Sequence, residues 1–170
     1  MGIKSENAIP AGSAQFPSLR GKRVFITGGG SGIGGCLVDA FARQGARVAF
    51  IDIDESASTV LVDRIAGAGF AAPWWQRCDV RDAYALQAAI RAAAAALGHF
   101  HVLVNNVASD DRHRTEDVTP EYWDDRMAVN ERPAFFAIQA VVPGMRELGG
   151  GSIINFGSTG WRTKGSGYIA

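Results

Sequence analysis

The stretch RVFITGGGSGIG, residues 23–34, decides the fold of this 170-residue chain. Its first five residues form a short, mostly apolar run of the kind that is buried on both faces of a parallel sheet. The glycines that follow permit a tight turn. Apolar residues then recur at Ile33, Leu37 and Phe41, the spacing of a helix stripe, and Gly45 indicates where that helix ends. The sequence therefore predicts a strand, a glycine-rich turn and a helix.

The alternation of strand and helix continues along the chain. Further strands are predicted at 47–51, 71–77, 101–104 and 152–156, and helices at 55–66, 82–97 and 120–146. We expect Val60, Leu61 and Ile65 to face inward, and Pro133 to interrupt the last helix. Strands that alternate with helices of about 10–15 residues predict an α/β fold with helices on both faces of a parallel sheet. Right-handed crossovers favour the doubly wound Rossmann order 3-2-1-4-5.

Composition sets the domain organisation and excludes several classes of partner. Residues 1–18 are polar and contain proline and glycine, so they are predicted to form a flexible leader, while residues 19–170 form one domain. Lys plus Arg and Asp plus Glu number 17 each, which gives no electrostatic reason to expect nucleic acid or an anionic membrane as partner. Cys36 and Cys78 lack metal-ligand or redox spacing. We expect two packed thiols, no metal and a cytoplasmic protein.

The glycine turn is typical of a dinucleotide-phosphate site. Glycines let main-chain amides approach a pyrophosphate, and the first turn of the following helix offers unpaired N–H groups and a partial positive charge to the same anion. A glycine-rich turn alone is weak support, but here the flanking strand and helix are both predicted. The residues expected to contact the cofactor are Gly28, Gly30, Ser31, Gly32, Ile33 and Gly34.

An acidic residue follows the second strand at the spacing that a dinucleotide site requires. Asp52 lies 18 residues after Gly34, close to the separation of about 20 at which a carboxylate accepts hydrogen bonds from the adenosine ribose. A carboxylate at this place repels a 2′-phosphate, and the loop has no basic residue to neutralise one, so NAD is favoured over NADP. Ile53 is expected beside it. The alternative is that Asp52 and Asp54 are solvated charges at a strand end.

Several motifs in order resemble the short-chain dehydrogenase/reductase family, over nearly the whole chain from about Leu19. The segment 27–34 fits the family pattern T-G-x-x-x-G-x-G. The resemblance implies that Asp79 faces the adenine amino group and Val80 the adenine ring. The segment Asn105-Asn106-Val107-Ala108 is similar to the family motif Asn-Asn-Ala-Gly and departs from it at the last two positions. The resemblance places Asn106, Val107 and Ala108 against the cofactor.

The same resemblance implies catalytic roles for Ser158 and Asn130. Ser158, just after the fifth strand, would bind the substrate oxygen, and Asn130 would hold a water in the proton relay. The family also uses a tyrosine with a lysine four residues later. Tyr168 or a residue at position 171 could be that tyrosine; in either case the lysine would lie after Ala170. The sequence is therefore expected to be a fragment that ends within this motif.

Within the family, the chain looks most like NAD-dependent sugar dehydrogenases of the D-xylose 1-dehydrogenase type. The stretches that carry this likeness are 16–23, 110–113, 122–124 and 155–158. The likeness implies that a free aldose, a small-molecule substrate, is oxidised at its anomeric carbon to a lactone. Substrate contacts are then expected from Asp110, Asp111, Arg112 and His113. The alternative, which the sequence leaves open, is a solvated loop whose charges contact nothing.

The sequence thus predicts an NAD-dependent oxidoreductase that moves a hydride between the cofactor and a sugar or secondary alcohol. By resemblance it would form a homo-oligomer, a tetramer assembled through the helices of 120–146. The competing hypothesis comes from another class of protein: an NAD-binding module without catalysis, or an inactive fragment.

Overall fold

A five-stranded parallel sheet forms the centre of the fold. The computed structural model describes residues 14–158. The strands, β1 (Arg23–Thr27), β2 (Arg47–Asp52), β3 (Trp74–Arg77), β4 (Val102–Asn105) and β5 (Ser152–Asn155), lie in the order β3-β2-β1-β4-β5. Every pair of neighbouring strands is parallel. The predicted α/β class and the strand order 3-2-1-4-5 are confirmed.

Five helices connect the strands: α1 (Gly32–Arg43), α2 (Glu55–Gly67), α3 (Ala83–Leu97), α4 (Pro120–Asn130) and α5 (Arg132–Glu147). Side chains of the residues just before them fix where several helices begin. The Asp54 carboxylate accepts a hydrogen bond from the amide of Ala57, and the Asp82 carboxylate accepts bonds from two amides of the first turn of α3. These caps satisfy amides that have no partner inside the helix.

The helical stretch predicted over 120–146 is two helices. It breaks at Glu131, and Pro133 lies in the first turn of α5, where the missing amide costs no hydrogen bond. The predicted interruption is therefore present, with the proline at a helix start rather than at a kink. Pro143 lies inside α5, a position that the sequence analysis did not use.

The inner strands β1, β2 and β4 are covered on both faces by apolar side chains. Alternate residues of β1 point to opposite faces. Phe25 belongs to the cluster under α3 and α5, where its ring contacts Phe100 edge-on with centroids 5.2 Å apart. Val24 and Ile26 belong to the cluster under α1 and α2, in which Phe50 and Trp75 are stacked. This double coverage explains why the strands read as continuous apolar runs.

Two predictions of burial are wrong, those for Val60 and Cys36, and Ile33 lies off the buried face of α1. Ile33 is 64% exposed, because α1 turns Gly34, Val38 and Ala42 inward instead. Gly34 must face inward since its Cα passes so close to the first glycine of the loop that no side chain fits there. Val60 is also exposed, whereas Leu61 and Ile65 are buried as expected. Of the two cysteines, Cys78 is buried but Cys36 is exposed.

The described residues of the proposed leader contact the domain. A short 3-10 helix spans Pro17–Leu19, and the amide of Phe16 donates to the Gln44 side chain over 2.8 Å. The rest of the leader lies outside the described residues, as does Tyr168. No helix within residues 14–158 is both long enough and apolar enough to span a bilayer.

Candidate functional site

A crevice of about 700 Å³ opens at the carboxyl edge of the sheet, above the ends of β1, β2 and β4. In open parallel α/β sheets this edge is where ligands bind. All the residues predicted to contact a cofactor line it except Gly30 and Gly32. The remaining lining residues are Asp54, Cys78, Arg81, Ser109, Arg126 and Val129.

The glycine loop forms one wall of the crevice. Gly28 has a φ of +67°, a conformation that residues with a side chain rarely adopt. A Cβ at Gly34 would lie 1.8 Å from the Gly28 carbonyl oxygen and 2.7 Å from Nδ2 of Asn106. Such distances are far inside van der Waals contact. The loop therefore requires glycine at position 34 and presents bare main chain to the crevice at Gly28 and Gly34.

Thr27 and Asn106 join the glycine loop to the end of β4. The Thr27 hydroxyl accepts hydrogen bonds from the amides of Asn106, over 3.0 Å, and Val107, over 3.2 Å. The Asn106 side-chain amide donates to the carbonyls of Thr27 and Gly28, each over 3.1 Å. Thr27 is buried, so these bonds form away from water and are strong. They hold the two loops that enclose the middle of the crevice.

Asp52 holds the loop from the other side. One carboxylate oxygen accepts the amide of Gly30 over 2.8 Å, and the second accepts the amide of Asp54 over 3.0 Å. Two amide bonds fix the orientation of the carboxylate at the end of β2. A carboxylate oriented in this way presents negative charge and free lone pairs to a ligand in the crevice.

Asp79 and Val80 lie at the far end of the crevice, after β3. Hydrogen bonds from Arg81 to the Asp79 carboxylate lower the pKa of Asp79 from its ordinary value. The shortest joins Nη2 of Arg81 to Oδ2 of Asp79 over 2.6 Å. Burial, together with the charges of Asp79 and Asp82, raises the pKa of the Cys78 thiol to about 11. That thiol therefore stays protonated and unreactive at neutral pH.

Asn130 holds the loop that follows β4. Its side-chain oxygen accepts the amide of Ser109 over 2.7 Å, and its side-chain nitrogen donates to the Ser109 carbonyl over 3.2 Å. The helix break occurs at the next residue, and the amide of Ala134 bonds to the Glu131 carbonyl instead of continuing the α4 pattern. The Asn130 side chain is thus bonded to the loop, and its main-chain carbonyl lies where the helical hydrogen-bond pattern of α4 is interrupted.

The other predicted site residues lie outside the crevice lining. Ser158 is exposed and follows β5, which is paired in register with β4 so that Asn155 lies opposite Asn105. The residues Asp110, Asp111, Arg112 and His113 lie in the loop that follows β4. Arg112 bonds to Asp110 over 3.1 Å, and Nδ1 of His113 lies 2.9 Å from the Tyr122 hydroxyl.

Thr27, Ser109 and Arg126 are among the site residues that the sequence analysis did not assign. Thr27 is part of the glycine motif, and its hydroxyl could have been expected to bond the loop across the sheet. Arg126 precedes Asn130 by one helical turn, so the two share a helix face. Nothing in the local sequence signals Ser109, whose importance depends on contacts with residues 17 and 21 positions later.

A family model described as short chain dehydrogenase matches residues 22–170. The chain belongs to the short-chain dehydrogenase family. Relatives of this short-chain dehydrogenase include the D-xylose 1-dehydrogenase of Caulobacter vibrioides, which is 52% identical over 149 residues, or 88% of this chain and 58% of that protein. The "Probable galactose dehydrogenase GalD" of Rhizobium meliloti is 53% identical over 146 residues, or 86% of this chain and 57% of the relative.

Solved structures of short-chain dehydrogenases have the same fold. A short-chain dehydrogenase/reductase from Serratia marcescens superposes with a TM-score of 0.82 at 34% identity, covering 89% of this chain and 61% of that one. The NADH-dependent reductase A1-R′ complexed with NAD has a TM-score of 0.80 at 25% identity, with 89% and 66% covered. The present short-chain dehydrogenase chain spans less than six tenths of the length of the two curated relatives named above.

Proposed function

We propose that the protein is an NAD-dependent oxidoreductase that transfers a hydride between NAD and a sugar or a secondary alcohol. The observation that carries this proposal is the crevice, which combines a main-chain wall at Gly28 and Gly34 with an oriented carboxylate at Asp52. Bare amides at a helix start suit a diphosphate, and a carboxylate at the end of the second strand suits ribose hydroxyls. The crevice residues therefore fit a dinucleotide.

The adenosine end of the cofactor would lie between exposed apolar side chains and two carboxylates. Ile33 and Ile53 are 64% and 61% exposed and both line the crevice, so a planar base would cover apolar surface that now faces water. Asp52 would accept the ribose hydroxyls and Asp79 the adenine amino group. Asn106, Val107 and Ala108 would contact the middle of the cofactor from the β4 side.

The substrate would bind beyond β4 and β5, where Ser158 follows its strand. NAD, when bound, supplies the hydride acceptor at C4 of its nicotinamide ring. The Ser158 hydroxyl would donate to the substrate oxygen and stabilise the charge that develops there. The main-chain carbonyl of Asn130, left at the helix break, would hold a water of the proton relay. In the family pattern, a tyrosine with a lysine four residues later removes the proton.

The relatives support a sugar as substrate. Two relatives of above 50% identity are named for D-xylose and galactose, both free aldoses. The loop from Asp110 to His113 supplies carboxylates, a guanidinium and an imidazole, which are the donors and acceptors that a polyhydroxylated substrate needs. Association into a homo-oligomer through α4 and α5 stays a prediction from the family resemblance, and a cytoplasmic location stays a prediction from the two isolated cysteines.

Aldose oxidation is the direct test of this function. We expect the complete product of the gene to form NADH from NAD with D-xylose or D-galactose, followed at the absorbance of NADH. Calorimetric titration with NAD on the same preparation separates the hypotheses. NAD binding without turnover of any aldose, polyol or secondary alcohol would support the non-catalytic module, and no heat of NAD binding would remove both.

Replacing Asp52 with asparagine should weaken the preference for NAD. The amide keeps one oxygen, and so one of the two hydrogen bonds that Asp52 accepts, but removes the negative charge that repels a 2′-phosphate. We expect the ratio of NADP to NAD dissociation constants to fall by roughly tenfold or more. Asp63→Asn, the same loss of charge on an exposed position of α2, is the matched control and should leave the ratio unchanged. An equal ratio in the parent and in Asp52→Asn would contradict the ribose role.

A further inference from the structure

A row of side chains with alternating charge, from Asp79 to Arg126, connects the two ends of the crevice. Arg81 binds Asp79 through several hydrogen bonds, and its Nη1 donates to Oδ1 of Asp125 over 3.2 Å. The second oxygen of Asp125 accepts a bond from Nη2 of Arg126. Each positive group therefore lies between two acceptors, and each link is a charge-assisted hydrogen bond.

The row of interacting side chains continues from Arg126 to the loop that follows β4. Nη1 of Arg126 donates to the Ser109 hydroxyl, and Cζ of the same guanidinium lies 5.3 Å from the centroid of the Tyr122 ring. The Tyr122 hydroxyl in turn contacts His113 over 2.9 Å. Arg126 thus contacts, directly or through one ring, both ends of the loop that follows β4.

Burial increases along this row of side chains from Arg81 to Arg126, so the interactions of Arg126 are stronger than those of Arg81. The exposed fractions of the side chains fall from 51% at Arg81 to 38% at Asp125 and 14% at Arg126. Exposed ion pairs contribute little because water and salt screen them, whereas screening is weaker at a shielded guanidinium. Arg126 is therefore placed to transmit a change at Asp125 to Ser109.

Asp125 and Arg126 lie between Asp79, which is proposed to bind the cofactor, and the loop at Ser109, which is proposed to lead to the substrate. We propose that Asp125 and Arg126 are positioning residues, through which binding of the adenosine part of the cofactor orders the loop at Ser109. This inference rests on the proposed function, because it requires an adenine amino group at Asp79.

The physical basis is competition for one carboxylate. Arg81 already bonds to both oxygens of Asp79, through Nε over 3.1 and 3.0 Å and through Nη2 over 2.6 Å. An adenine amino group that donates to the same oxygens weakens the hold of Asp79 on Arg81. The Arg81 guanidinium then bonds more strongly to Asp125, so Asp125 holds Arg126 less strongly and the Arg126 guanidinium bonds more strongly to the Ser109 hydroxyl. The Asn130 side chain bonds to the main-chain amide and carbonyl of Ser109, so the ordering extends to the residue proposed for the proton relay.

The test uses adenosine monophosphate, which occupies the adenosine end alone, and hydrogen exchange of the amides of 107–114. Saturating the parent protein with adenosine monophosphate should slow amide exchange in this loop by roughly fivefold. In Asp125→Ala the nucleotide should still bind, within about tenfold of the parent affinity, but the loop should show no added protection. Asp124→Ala, which removes the neighbouring exposed carboxylate of α4, is the matched control and should behave as the parent.

The outcomes separate the two proposals. A merely structural role for Asp125 would raise exchange in the loop with and without nucleotide and leave the difference intact, which would overturn the inference. Nucleotide binding without loop protection in the parent would overturn it as well, while the proposed function would stand. No binding of adenosine monophosphate or NAD to the parent would remove the proposed function, and the inference with it.

Discussion

Gly34→Ala is expected to abolish measurable NAD binding. The new Cβ would lie 1.8 Å from the Gly28 carbonyl oxygen and 2.7 Å from the Asn106 side chain. Neither can withdraw freely, since Gly28 belongs to the loop main chain and Asn106 is held by two carbonyls. We expect a loss of about 3 kcal/mol in the free energy of unfolding. Because the wall of the crevice must move, NAD affinity should fall by more than roughly hundredfold, measured by calorimetry.

Gly67→Ala is the matched control for this substitution. A Cβ at Gly67 meets no atom within 4 Å, and Gly67 lies in the last turn of α2. Alanine favours helix over glycine by up to about 1 kcal/mol, so this variant should be as stable as the parent or slightly more so. Its NAD affinity should not change. Parent-like NAD affinity in Gly34→Ala would show that the loop is not the cofactor wall.

Ser158→Ala should lower the kcat of sugar oxidation by about 100- to 1000-fold, the usual consequence of removing one donor from a developing oxyanion. NAD affinity should stay at the parent value, because Ser158 does not line the crevice that we assign to the cofactor. Initial rates of NADH formation and calorimetry on the same preparation of the complete gene product measure the two quantities. The separation of kcat from cofactor affinity is the informative result.

Ser152→Ala, at the other end of β5 from Ser158, provides the comparison. Ser152 begins β5 at the opposite edge of the sheet, where its amide donates to the His101 carbonyl, and its side chain is exposed. Loss of this hydroxyl should leave both kcat and NAD affinity unchanged. If Ser158→Ala retained the kcat of Ser152→Ala, the assignment of the substrate oxygen to Ser158 would be wrong.

The fold could be predicted because its signals are local. The run before Gly28, the glycines and the helix after them each follow from neighbouring residues, and right-handed crossovers supply the strand order. The direction in which Val60 points could not be predicted in the same way. For α1, apolar spacing indicates a helix stripe but not its rotation, which the tight packing of Gly34 on the loop sets so that Ile33 turns toward the crevice.

The residues of the site also differ in whether local sequence signals reveal them. The main-chain wall and the carboxylate at Asp52 are visible in the sequence, since each lies next to a strand end. Arg126 and Ser109 are brought together only by the course of the loop between β4 and α4, over 17 positions of sequence. Pairings of this kind depend on a path that no residue spacing encodes. Sequence reasoning therefore located the cofactor end of the crevice more completely than the substrate end.

The position of Asp52 matters for anyone who redesigns the protein to use a phosphorylated cofactor. The carboxylate that would exclude the phosphate also accepts the amides of Gly30 and Asp54, and Asp54 in turn begins α2 by bonding Ala57. A small apolar replacement would admit the larger cofactor but would also release the glycine loop and the helix start. Redesign at this position should therefore retain a neutral hydrogen-bond acceptor and add a positive side chain elsewhere.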